Sequence, residues 1–204
     1  MKPVIRRIGY GLGALVVIAV VAAVAAVAAV AVYIMSQRIL GATMAIVVQP
    51  ITVPTDSASI ARGRHLARAI GKCADCHGDD LGGTTVFDVA PIGRWTSANL
   101  TPGGAAANRT DAEIAHALRH GVDPKGRKLF MMPSYEYSYF SEPDLAAVIA
   151  YLRSLPAVDR RREPLTVGPV ARALMVAGAL PMLDANRIDH SMPIPDRATG
   201  RPDG

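Results

Sequence analysis

The two cysteines of the chain and the histidine that follows them are the residues whose spacing most directly indicates chemistry. The sequence reads Cys73-Ala-Asp-Cys76-His77, and these are its only two cysteines. Two thiols about one helical turn apart, followed directly by an imidazole, form the pattern of c-type haem attachment. The thiols add to the two haem vinyl groups as thioethers, and the histidine binds the iron as proximal ligand. The pattern therefore predicts one covalent haem c held by Cys73 and Cys76, with His77 on the iron.

Other chemistries also use paired cysteines. A thioredoxin-like fold would place a βαβ pattern around the pair, and this sequence has none. A zinc site needs a second Cys or His pair at metal-ligand spacing, which is also missing. A structural disulfide in an oxidising compartment stays open as an alternative. So does a membrane-tethered thiol–disulfide oxidoreductase that uses Cys73 and Cys76, and so does a haem-based sensor with an open iron.

An electron-carrying haem iron needs a second axial ligand, which must be a methionine or another histidine. Met132 is the favoured ligand, because it lies in a loop between two predicted helices and Pro133 stiffens the backbone beside it. Met131 is the next candidate. The other candidates have simpler interpretations: Met175 and Met182 as core residues of an apolar helix, His120 as a charge at a helix C-terminus, His65 and His116 as surface residues, and Met192 and His190 in the tail.

An uncharged apolar run occupies the N-terminal part of the chain, from Ile8 to Met35. As a helix it would extend about 42 Å at roughly 1.5 Å per residue, more than the hydrocarbon core of about 30 Å. The run is too long for the apolar region of a signal peptide, although a cleaved signal stays open as an alternative. Lys2, Arg6 and Arg7 precede it, so the positive-inside rule predicts a cytoplasmic N-terminus and an exported remainder.

The charge distribution excludes one large class of partner. The formal net charge is +5, but Lys2, Arg6, Arg7 and Arg38 contribute four of these charges before any acid occurs. The rest of the chain is nearly neutral, so no basic face for nucleic acid is expected. The sequence also shows no pattern for a catalytic base, a nucleophile or a small-molecule substrate pocket, and we therefore expect an electron-transfer protein and not an enzyme.

Three short helices are predicted after the apolar run, and there is little strand signal. The first runs from Asp56 or Ser57 to about Ile70, and the third runs from Leu145 to Leu155 and ends at Pro156. Between them, the capping box Thr110-Asp-Ala-Glu113 begins a helix that ends at His120-Gly121. Long loops separate these helices, so a cofactor is expected to fill the middle. The predicted class is all-α: three or more short helices around a covalent haem, with an N-terminal transmembrane helix.

The segment from Ile60 to Pro156 resembles a class I c-type cytochrome module, especially those in membrane-bound cytochrome subunits of bacterial alcohol and sugar-acid dehydrogenases. The resemblance depends on these matching segments: Arg62–Arg68, Cys73–Gly78, Asn99–Pro102, Ala117–Gly121, Met132-Pro133 and Asp144–Pro156. It implies that Met132 is the distal ligand, that the first and last helices cross near Gly63 and Tyr151, and that Arg94, Trp95 and Asn99 lie near the haem propionates. Met131 departs from the family pattern, and the tail Ile188–Pro195 resembles a connector that leads to a further haem module in relatives.

These observations predict four parts of the chain. They are a cytoplasmic N-terminus and transmembrane anchor (1–35), a linker (36–56), a cytochrome c domain (57–156) and a partly disordered C-terminal extension (157–204). The expected protein is a single-pass, mono-haem cytochrome of the bacterial cytoplasmic membrane, with its haem domain in the periplasm. Its expected partners are the lipid bilayer and redox proteins: a dehydrogenase, a quinol-linked complex or an oxidase.

Overall fold

The computed structural model of the chain describes residues 2–193, so the predictions for residues 194–204 lie outside the described part. The helices are α1 (Lys2–Gly41), α2 (Ser57–His65), α3 (Cys73–His77), α4 (Asp111–His120), α5 (Ser134–Tyr137), α6 (Glu142–Ser154) and α7 (Pro169–Val176). A π turn at Leu66–Ile70 continues α2, and 3₁₀ turns lie at Ala105–Asn108 and Asp184–Asn186. The strands are β1 (Thr85–Val89), β2 (Gly93–Thr96) and β3 (Thr166–Val167).

The first helix is the long apolar segment predicted at the N-terminus. The most apolar 18-residue stretch within Tyr10–Gly41 has a mean hydropathy of 3.1, and none of it is buried against the rest of the protein. By length and composition this helix can cross a membrane. It continues beyond the predicted end at Met35, so the first six residues of the predicted linker are helical.

The segment after α1 lies against the folded domain. The Met44 N–H donates to the Gly126 carbonyl at 2.8 Å, and Thr43 forms a bridge with Arg127. Further along, Ile51 and Val53 pack against the main apolar core. The predicted linker therefore packs on the domain, because apolar side chains spaced two apart give an extended segment one face to bury.

The main core forms where α2 crosses α6. Gly63 is buried at this crossing, and a Cβ at its position would overlap the Ala147 carbonyl and meet the Tyr151 Cβ at 3.0 Å. The crossing therefore lies where the resemblance placed it. The Asp144 carboxylate, almost fully buried at the start of α6, accepts a hydrogen bond from Arg62 at 2.5 Å.

The central helix α4 has the predicted ends. Thr110 and Glu113 form a reciprocal capping box, and Gly121 ends the helix in the left-handed conformation at φ 65°. Arg153 of α6 reaches across to this region, where it donates to Asp111 at 2.8 Å and to the Ala106 and Arg109 carbonyls. These bonds hold the C-terminal end of α6 against the start of α4.

A three-stranded antiparallel sheet corrects the all-α expectation. Strand β2 lies in the middle, with β1 on one side and β3 on the other. About half of the chain is helical and 8% is strand. Strands of two to five residues are too short to produce a readable alternation of apolar and polar residues, and β3 pairs with a strand about 70 positions earlier in the chain.

The C-terminal segment is folded onto the domain over the part that the structure describes. The Asn99 amide donates to the Val158 carbonyl at 2.7 Å, and Arg160 forms a two-bond ion pair with Asp80 at 2.7 and 2.9 Å. A second apolar cluster then gathers Val167, Ala171, Met175 and Leu183 against Ile39, Leu40, Trp95 and Phe130. Met175 is therefore a core residue, as expected.

A cluster of three histidines shows that two sequence-based interpretations were wrong. His116 is only 5% exposed, and its ring lies 5.1 Å from that of His120. His120 Nδ1 lies 3.1 Å from His190 Nδ1, while His190 Nε2 lies 2.9 Å from the Ala185 carbonyl. His190 Nε2 donates to this carbonyl, and the two Nδ1 atoms share one proton in the hydrogen bond between His120 and His190. Burial, with the charges of the neighbouring histidines and Arg119, lowers the pKa of His120 to about 4.

Replacing Gly63 by Ala should destabilise the domain by about 3 kcal/mol, because the added methyl group forces two helix backbones apart. Chemical unfolding of the detergent-solubilised protein, followed by circular dichroism, measures the loss. Gly41→Ala is the matched control, because a Cβ there meets nothing within 4 Å. Equal stability of the two variants would show that the α2–α6 crossing is looser than described.

His120 should make stability depend on pH. Its folded pKa of about 4 lies below the usual value of 6.5, so the unfolded chain binds an extra proton between these two values. His120 therefore contributes about 1–3 kcal/mol to the free energy of unfolding above pH 6.5, and this contribution is lost as the pH falls towards 4. The free energy of unfolding of His120→Gln should decrease less between pH 6.5 and pH 4 than that of the unchanged protein. The exposed His65→Gln serves as control, and parallel curves for all three proteins would contradict the prediction.

Candidate haem site

The haem motif forms α3, a helix of only five residues whose ends are set by the backbone. Lys72 precedes it at φ 48° and Gly78 follows it at φ 80°, both in conformations that turn the chain sharply. The carbonyl of His77 accepts a hydrogen bond from the Gly83 N–H at 2.8 Å. Cys73 and Cys76 are free thiols on consecutive turns, and both are partly exposed.

The His77 imidazole is held by one of its two ring nitrogens. Its Nδ1 lies 2.7 Å from the Ala98 carbonyl, so it donates there and leaves the Nε2 lone pair available. Burial lowers the pKa of His77, which keeps the ring neutral. A neutral imidazole with a fixed tautomer is the form that binds a metal.

The surroundings of the Cys73 and Cys76 thiols favour their protonated form. Burial raises the pKa of Cys73 to about 11, with smaller contributions from the charges of Cys76 and Asp75. Burial and the Asp75 carboxylate raise the pKa of Cys76 as well. A redox-active pair needs a lowered thiol pKa, since the thiolate is the attacking species.

Two side chains from elsewhere in the fold hold the backbone around α3. The Tyr137 hydroxyl, buried in α5, donates to the Gly71 carbonyl at 2.6 Å, two residues before the first cysteine. Arg68 donates to the Tyr151 hydroxyl at 2.8 Å and to the Asp79 carbonyl at 2.5 Å, two residues after the histidine. Sequence analysis missed both, because only the folded chain brings these residues together.

The two candidate methionines have different surroundings. Met132 is half-buried and packs against the same apolar core as Cys73, Ala74 and Leu100. Met131 has φ 63°, unusual for a residue other than glycine, and its N–H donates to the Met182 carbonyl at 2.8 Å. Its side chain belongs to neither apolar cluster of the described residues. The backbone turn at Met131 thus separates the two side chains, and Met132 shares its surroundings with the haem motif.

The three residues that the resemblance placed near haem propionates have these contacts. Arg94 pairs with Asp88 at 2.8 Å and Glu163 at 3.7 Å. Both ends of the Asn99 amide are bonded within the protein. The Trp95 ring lies against Phe87 and Phe130, and its Nε1 is buried with no partner among residues 2–193. Their position relative to a propionate stays a prediction.

A cleft of about 550 Å³ opens beside α3, between Gly78–Thr85 and Arg160–Glu163. Threonine, serine, aspartate and arginine residues form most of its lining, which suits water better than the face of a porphyrin. The apolar surface near the haem motif is the one that Met132 and Leu100 share with Cys73.

The residues present fit a covalent haem. Both thiols are free and lie on one short helix, and the oriented His77 offers Nε2 to a metal. Within residues 2–193 no group of three or more His, Cys, Asp or Glu side chains is arranged to hold a metal ion. A zinc site built on the two cysteines therefore lacks further ligands in the described part of the chain.

Comparison with known families agrees with this geometry. Residues 58–152 match the family model described as cytochrome c oxidase, cbb3-type, subunit III. These residues form a c-type cytochrome domain. Such a domain implies covalently bound haem c, and the matched residues include α3 and α4 and nearly all of α2 and α6.

Two relatives show where similar segments occur. The cytochrome c subunit of alcohol dehydrogenase (quinone) from Gluconacetobacter polyoxogenes is 34% identical over 107 residues, which cover 49% of this chain and 22% of that protein. The fructose dehydrogenase cytochrome subunit from Gluconobacter japonicus is 33% identical over 112 residues, which cover 51% of this chain and 23% of that protein. The similarity thus spans less than a quarter of each relative.

Tyr137→Phe should destabilise the cytochrome domain by about 1–2 kcal/mol, because it leaves the Gly71 carbonyl without its buried donor. Denaturant unfolding in detergent measures the effect. Tyr139→Phe is the matched control, since that hydroxyl is bonded at the surface to Tyr135. Tyr139→Phe should change stability by less than about 0.5 kcal/mol, and an equal loss in both variants would contradict the role given to Tyr137.

Proposed function

We propose that this chain is a membrane-anchored, mono-haem c-type cytochrome that carries single electrons. Cys73 and Cys76 would hold the cofactor, and His77 and Met132 would supply the protein ligands to its iron. Bound haem would supply a one-electron ferrous–ferric couple. The chain's own residues would attach the cofactor and orient the imidazole.

The arrangement of α3 is the observation that carries this proposal. Two free thiols precede an imidazole whose Nδ1 is bonded to the Ala98 carbonyl, so that the remaining nitrogen can serve as a ligand. The carbonyl partner fixes the tautomer and the orientation of the ring, so that Nε2 would be the nitrogen that binds the iron. An electron carrier benefits from such rigidity, because little then has to rearrange when the charge on the iron changes.

The thiol–disulfide oxidoreductase is the less supported alternative. A nucleophilic cysteine requires a lowered pKa, and burial raises the pKa of both thiols here. Moreover, no cationic side chain is among the groups that shift the pKa of either thiol. A haem-based sensor would need an open iron, whereas Met132 shares the apolar surroundings of Cys73.

The anchor and the relatives indicate where the electrons come from. Helix α1 can cross a membrane, and the basic residues Lys2, Arg6 and Arg7 before its apolar run favour a haem domain on the periplasmic side of the cytoplasmic membrane. The similar proteins are named as cytochrome subunits of an alcohol dehydrogenase (quinone) and a fructose dehydrogenase. The proposed donor is therefore a dehydrogenase or a quinol-linked complex, and the proposed acceptor is an oxidase.

Haem staining tests the attachment directly. The protein is produced in bacteria with an active cytochrome c maturation system, denatured, and separated on a gel. We expect a haem-stained band at the mass of the chain and one haem per chain by pyridine haemochrome assay. Cys73→Ala with Cys76→Ala should abolish the band, whereas the exposed His65→Gln should keep it. A band without haem, from cells that mature another c-type cytochrome normally, would refute covalent attachment.

Met132→Ala should open the iron to carbon monoxide and lower the reduction potential, because a thioether ligand favours ferrous iron. Spectra of the reduced protein with and without carbon monoxide, together with a redox titration, measure both effects. Met131→Ala is the matched control and should change neither the carbon monoxide spectrum nor the potential appreciably. The reverse result would identify Met131 as the ligand. Carbon monoxide binding to the unchanged protein would favour the sensor.

A further inference from the structure

We propose that α7 lies in the membrane–water interface beside α1, with the apolar side of the helix in contact with lipid. This inference rests on the proposed membrane anchoring and goes beyond it: α1 crosses the bilayer, whereas α7 would lie on it. The contact surface consists of Val170, Ala173, Leu174 and Ala177. This surface is called the α7 outer face below.

The α7 outer face is apolar and has no covering element among the described residues. Val170 and Leu174, spaced four apart, are 40% and 41% exposed, while Ala171 and Met175 on the other side are buried. Ala173, and Ala177 just after the end of α7, are also exposed. A short helix that buries one apolar side in protein and exposes another is unusual in a water-facing position.

Contacts with α1 place α7 near the end of the membrane-length helix. Arg172 donates to the Ser36 hydroxyl at 2.9 Å, and its guanidinium lies over the Tyr33 ring at 4.8 Å from the centroid. Further along α1, Ile39 and Leu40 pack against the cluster that contains Ala171 and Met175. Helix α7 is therefore fixed against residues 33–40.

These residues are where α1 should leave the hydrocarbon. The exposed apolar surface of α1 runs to Ile34 and Met35, and the next positions are Ser36, Gln37 and Arg38. Tyr33 is half exposed, and tyrosine is enriched at the level of the lipid headgroups. An element bonded to Tyr33 and Ser36 thus lies at the interface, where lipid is the apolar surface nearest to the α7 outer face.

The apolar surface continues on the sheet. The Gly168 and Val170 N–H groups donate to the Ile92 and Pro91 carbonyls, which joins α7 to the turn between β1 and β2. Val89 at the end of β1 is 47% exposed beside this turn. Membrane contact through both α7 and this turn would fix the orientation of the cytochrome domain as well as its distance from the membrane.

Thiol accessibility in nanodiscs tests the proposal with the full-length holoprotein. Leu174→Cys and the matched control Ala58→Cys, at an exposed position on α2, each add one free thiol to a chain whose own cysteines hold haem. The protein is inserted into phosphatidylcholine nanodiscs that carry a photoreactive acyl-chain lipid. Alkylation by a membrane-impermeant maleimide is followed by mass spectrometry, and lipid adducts are mapped after illumination. Val170→Cys replaces Leu174→Cys if the latter fails to fold.

We expect position 174 to react at least tenfold more slowly than position 58, with lipid adducts on both α1 and 169–181. Reaction at equal rates would overturn the proposal, because the face would then be in water. Slow reaction with adducts on α1 alone would also overturn it and would indicate a second copy of the chain on this face. A chain that stays outside the nanodisc would refute the anchor and this contact together. The visible spectrum of the same sample reports haem, so failure of the electron-carrier proposal is seen separately.

Discussion

The short helix α3 depends on the rest of the fold for its stability. Five residues cannot form a stable helix in water, because nucleation costs more than one turn of hydrogen bonds returns. Tertiary bonds must therefore supply its position. Tyr137 holds the chain before the helix, Arg68 holds the chain after it, and the Ala98 carbonyl holds the His77 ring. The long helices are the frame from which these bonds reach the two thiols and the imidazole.

The crossing of α2 and α6 is what makes this frame rigid. Without a side chain at Gly63, the α2 backbone reaches the Ala147 carbonyl of α6. Arg68, just after α2, then comes within 2.8 Å of the Tyr151 hydroxyl on α6. The glycine at position 63 thus allows the close helix packing that brings the Arg68 guanidinium beside the haem motif. The geometry of the site therefore depends on this packing.

Local patterns were sufficient to predict the long apolar helix α1, the helices α2, α4 and α6, and the haem motif. The capping box at Thr110, the C-terminal Gly121 and the serine cap at Ser141 each satisfy backbone groups within a few residues, so the sequence alone reveals them. The expected crossing near Gly63 and Tyr151 came from family resemblance, and the structure agrees. The assignments of haem to Cys73 and Cys76 and of the iron to His77 and Met132 stay predictions.

What the sequence could not reveal depends on pairing across long separations. Strand β3 has only two residues and gains its structure from β2, so no local signal marks it. His120 looks like a charge that favours a helix C-terminus, but burial, with the charges of His116 and of His190 from 70 positions later in the chain, lowers its pKa. In both cases a distant segment determined what the local sequence could not show.

The same long-range packing changes how an electron carrier of this kind would meet its partners. A haem domain on a flexible tether would search for them by swinging about its anchor. Here Met44 is bonded to Gly126 and Arg172 to Ser36, so the segment after α1 and the C-terminal segment both join the domain to the helix. With the domain held this way, encounters would depend on diffusion of whole proteins in the membrane plane. Partners would then have to present their redox centres at the height that α1 and α7 set for this haem.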